Sequence, residues 1–136
     1  MPHLAHVTVA ADEAPAVLDA LLSVYGARAD ALAEAAGRTD QVQLAQARAA
    51  LLDADAALET FGTHRGPRIR DAELTGSPRL VTDVLVAALS DAAERFDDAL
   101  ESYGRGETSL AELQRSEERL AALLALFAAH EGEHAV

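Results

Sequence analysis

Five histidines and eleven arginines carry most of the chemistry available to this sequence. His130 and His134 stand four residues apart, so a helix would point both the same way, with Glu131 and Glu133 beside them. Imidazole pairs at that spacing suit zinc, nickel or copper, and His3 and His6 could join them if the two ends of the chain meet. A second candidate is an anion site. Arg65, Arg68, Arg70 and Arg79 lie in or beside one loop together with His64. Guanidinium forks and the free amides of a helix start both hold phosphate or carboxylate well. A third reading is structural, since polar residues collect in loops and at termini, and His and Arg sit favourably near helix C-termini. The two ligand readings predict opposite pH trends. Acidification charges imidazole and favours anions, whereas protons compete with a metal for the same nitrogens.

Familiar catalytic patterns are missing. The sequence has no phosphate-cradling glycine loop, no GxSxG elbow and no HExxH. Without cysteine there is no disulfide, thiolate zinc site or cysteine nucleophile. Glu131 and His134 fit one Glu-x-x-His element of a di-iron bundle, but the second copy and the mid-helix histidines are absent. Glu117 lies beside an apolar stripe, where it is expected to pair with Arg28, Arg48 or Arg95. Tyr103 to Glu107 resembles the Tyr-x-x-x-Asp/Glu pattern of type VII secretion substrates over five residues, without the accompanying Trp-x-Gly turn. No catalytic residue and no cofactor are expected.

Charge narrows the partners. A formal net charge of −12 repels phosphate backbones, so nucleic acid is not expected, while a basic protein partner is compatible. Asp91, Glu94, Asp97, Asp98 and Glu101 form the densest acidic surface, on the outer side of a helix. The bland alternative for such a face is plain solvation. The segment MPHLAHVTVAADEAP lacks a basic start and a long apolar run, and no stretch nears the roughly 20 apolar residues of a membrane span. A cytoplasmic protein that avoids membranes is the expectation.

Half of the residues are hydrophobic but only 4% are aromatic, and alanine and leucine dominate. That mixture favours helix over strand. Periodicity predicts helices over 12–36, 40–61, 78–103 and 109–131, with a loop at 62–77 and a short leader that could be extended. Asp12, Ser77–Pro78 and Ser109 supply the starts; Gly37 and Gly132 are expected stops. The inner face of the second helix is read as Val42, Ala45, Ala49, Leu52 and Ala56, with Leu58 and Phe61 widening its end. Leu85, Leu89, Phe96, Leu120, Leu124 and Phe127 are expected in the core.

Four such helices with short turns imply an all-α single domain over 1–136. Its simplest form is an antiparallel up-down-up-down four-helix bundle, with an open pair of hairpins as the alternative. A shift of 67 residues aligns Leu18 with Leu85, Leu22 with Leu89, Arg28 with Arg95, Glu34 with Glu101 and Gly37 with Gly104, which suggests a duplicated helical hairpin. In the bundle all five histidines reach one end. The favoured function is a non-enzymatic acidic interaction or regulatory module working through protein–protein contacts, including contacts with its own copies. The alternative is a bundle that binds a small anion or a metal at the His/Arg-rich end.

Overall fold

The computed structural model describes residues 4–62 and 71–134, without the side chain of His134. Their order is β1 (Ala5–Val9), α1 (Ala14–Arg38), α2 (Gln41–Gly62), β2 (Ala72–Gly76), α3 (Pro78–Gly104) and α4 (Leu110–His134). Helix dominates, as composition requires. The four helices fall within a few residues of their expected bounds.

Local chemistry sets those bounds. Ser77 accepts a hydrogen bond from the Leu80 amide at 3.2 Å, and Pro78 follows it at the start of α3. Asp40 accepts from Val42 and Gln43, and Ser109 accepts from Glu112, so α2 and α4 start on side-chain caps. At α1, Asp12 is not the cap: Glu13 takes that position and makes no side-chain cap bond. Thr39, in a left-handed conformation, ends α1 one residue beyond Arg38. Gly132 lies inside α4 rather than at its end.

Two short strands add a small ribbon to this helix-dominated fold. β1 and β2 pair antiparallel, Ala5 with Gly76, Val7 with Leu74 and Val9 with Ala72. Part of the expected 62–77 loop is therefore β2, and the leader holds β1. Alternation explains the ribbon. Ala5, Val7, Val9, Ala72, Leu74 and Gly76 are buried, while His6, Thr8 and Glu73 face outward. Gly76 is small for a reason: a Cβ there would sit 2.5 Å from Leu80 Cδ2.

α1 packs on α2, α3 on α4, and the two pairs join through α1 and α3. α2 lies against β2 and α4 against β1, so each second helix supports the strand of the other half. These contacts describe two hairpins locked by a ribbon, and they do not establish closure into an up-down-up-down bundle. The element order β-α-α occurs twice, and the shift of 67 maps Val7 onto Leu74, the central pair of the ribbon.

The core centres on Val9, Val17, Leu21, Leu74, Leu80, Val81, Val84, Leu85 and Leu123. Leu85 is buried as expected. Leu89, Phe96, Leu120 and Phe127 are half-buried, and Leu124 is 51% exposed because Leu123 takes the inward position. The second helix is turned relative to expectation. Val42 and Leu52 are 67% and 55% exposed, Ala45, Ala49 and Ala56 face out with them, and Ala54 and Ala57 point inward; only at the end of the helix do Phe61, buried, and Leu58, half-buried, lie on the expected side.

Candidate functional site

The two strands of the ribbon lead into α1 and α3 and pack against α2 and α4. Asp71 Oδ1 accepts from the Ala11 amide at 3.2 Å and ties the two strand ends together. Of the residues proposed for this end, His3, His64, Arg65, Arg68 and Arg70 lie outside the described residues. His6 is exposed on β1, with Nδ1 3.2 Å from both Thr75 Oγ1 and Glu73 Oε1. His130 is 2% exposed and its Nε2 lies 2.9 Å from Thr82 Oγ1, joining α4 to the first turns of α3. His134 is the last residue of α4. Among the described residues, no group of three or more His, Asp or Glu is placed to hold a metal ion. Arg79 is exposed on the first turn of α3 and lines a groove with Arg28, Arg38, Gln43, Gln46 and Asp83.

Beneath that groove is a polar junction that sequence reasoning missed. Arg28 donates to the Ala50 carbonyl at 2.7 Å and lies 3.4 Å from Asp53 and 3.5 Å from Asp83. Asp53 in turn accepts from the Ser77 amide at 3.1 Å and the Ser77 hydroxyl at 2.5 Å. One carboxylate thereby joins α1, α2 and the cap of α3. Asp83 and Asp53 are the partners of Arg28, and Glu117 is exposed rather than buried beside it.

The acidic face of α3 is where the sequence placed it. Asp91, Glu94, Asp97, Asp98 and Glu101 are all exposed. Asp91 binds Arg95 at 2.9 Å and Glu101 meets Arg105 at 4.0 Å. Glu94, Asp97 and Asp98 have no ion pair among the described residues.

A second groove lies between α3 and α4, lined by Ala92, Arg95, Glu112, Arg115, Ser116 and Arg119 and enclosing about 250 Å³. Three arginines thus share one small concavity on an acidic molecule. Their positions 95, 115 and 119 are legible as one cluster only once α3 and α4 are known to be neighbours.

Comparison with protein-family models, with curated proteins and with solved structures found no match.

Proposed function

We propose that this chain is a non-enzymatic interaction module whose acidic α3 face receives a basic protein partner. The supporting observation is that Glu94, Asp97 and Asp98 are exposed together and have no ion pair among the described residues. Such a face steers a positively charged partner and makes its binding sensitive to salt. Leu100 and Tyr103, each 44% exposed, lie next to it and add apolar contact area. A regulatory role in the cytoplasm belongs to this proposal, as does assembly of copies through the exposed α2 stripe around Val42 and Leu52. The test is titration with a lysine-rich peptide, followed by fluorescence anisotropy. Affinity should fall as salt rises and vanish in the triple variant Glu94→Lys, Asp97→Lys, Asp98→Lys. Equal binding by that variant defeats the reading.

A second reading is a ligand site at the His/Arg-rich end, with closure of the helices into an up-down-up-down bundle around it. The pairing of β1 with β2 favours it, because that pairing brings His6 and the start of α3 to one end. Melting with zinc, nickel, phosphate and EDTA distinguishes metal from anion, since a ligand of the folded state raises the melting temperature.

A further inference from the structure

The groove between α3 and α4 differs from its counterpart between α1 and α2 in one decisive respect. Arg95 stands 67 residues after Arg28, the same separation that relates Val7 to Leu74. In the second helices the inward residues correspond at 66, Ala57 to Leu123 and Phe61 to Phe127. On that alignment Asp53 corresponds to Arg119, and Ala50 to Ser116. The first half surrounds its arginine with Asp53, Asp83 and the Ala50 carbonyl. The second half puts another arginine where the carboxylate stood.

The consequence is a groove lined by three arginines and one carboxylate. Arg95 Nε is held by Asp91 at 2.9 Å on its own helix, and its side chain lines both this groove and the cleft between α1 and α3. Arg115 donates only to the Ala111 carbonyl, at 3.5 Å, and Arg119 has no hydrogen bond or ion pair among the described residues. Glu112, the one carboxylate lining the groove, pairs with none of the three. Like charges so close repel one another, and a multivalent anion relieves the repulsion while engaging several planar N–H forks at once. Ser116 adds a hydroxyl donor.

We infer that the α3–α4 groove is a binding site for a small phosphate-class oxyanion, held by Arg95, Arg115 and Arg119 with Ser116. This site borders the acidic face of the preceding proposal, with which it shares the Asp91–Arg95 ion pair, but it does not rest on that proposal.

The test uses the full chain. Melting curves and calorimetry are recorded with inorganic phosphate, pyrophosphate and citrate, each against sodium chloride of equal ionic strength. Pyrophosphate should raise the melting temperature by several degrees above the chloride control. Arg119→Gln should weaken its binding roughly tenfold or more, the share of one charged hydrogen-bonding group. Arg119→Asp should abolish the response and raise the melting temperature without anion, because it restores the internal counter-charge of the first half. Arg48→Gln, exposed on α2, should respond like the parent protein. Circular dichroism confirms that each variant is folded, and Arg95→Gln provides a second arm. No stabilisation beyond chloride, an undiminished response in Arg119→Gln, or a response to citrate alone would overturn the assignment.

Discussion

Val7 and Leu74 face each other at the centre of the two-stranded ribbon, and they stand the same 67 residues apart as Arg28 and Arg95. A repeat relationship and a physical contact therefore coincide at one pair. Both side chains are buried, Leu74 completely, with α2 and α4 packed behind the two strands. Leu74→Ala should cost roughly 2–5 kcal/mol through lost burial and the cavity left behind. Urea denaturation measures it. A loss below about 1 kcal/mol would mean that the ribbon is an ornament on the helices rather than part of their core.

The two neighbouring leucines of α4 test which face of that helix is inward. Leu123 is fully buried and Leu124 is 51% exposed. Leu123→Ala should cost about 2–5 kcal/mol, and Leu124→Ala about 1 kcal/mol or less. Comparable losses in thermal or urea melts would contradict the observed rotation of α4.

Helix positions were legible where capping residues and proline act locally: Ser77–Pro78 and Ser109 begin helices in the structure as expected, whereas at α1 Glu13 takes the place expected of Asp12. The rotation of α2 was not legible. Alanine occurs all round that helix, so the face through Val42 and Leu52 reads as apolar as the face through Ala54 and Ala57. β2 escaped notice for a related reason: Ala72–Gly76 offers one leucine and one threonine between residues that disfavour strands, and its pairing with β1 supplies what propensity lacks. The acidic face followed directly from helical spacing. The Arg28–Asp53–Ser77 junction and the three-arginine groove join residues far apart in sequence, so only the helix pairings bring them together.

Asp53 connects three elements through its two carboxylate oxygens. Asp53→Ala should destabilise the protein by about 1–3 kcal/mol, since Arg28 and the cap of α3 lose an acceptor together. Asp55→Ala, two residues away and exposed, should change stability by about 0.5 kcal/mol or less. Chemical denaturation of the pair checks this, and equal effects would remove the junction from the account.

The described histidines differ in the same way. His130 is buried and bonded to Thr82, whereas His6 lies on the outer face of β1. His130→Ala should cost about 1–3 kcal/mol and His6→Ala about 0.5 kcal/mol or less, read from melting curves. The reverse order would show that the exposed imidazole, not the buried one, carries the stability.

The acidic face of α3 is the centre of the functional proposal, and a paired capture experiment reaches it most directly. The parent protein and the triple variant Glu94→Lys, Asp97→Lys, Asp98→Lys are immobilised side by side and exposed to lysate of the native organism at low and high salt. The account predicts a basic protein retained by the parent chain, released as salt rises, and absent from the variant. A partner held equally by both chains, or held without regard to salt, would contradict it.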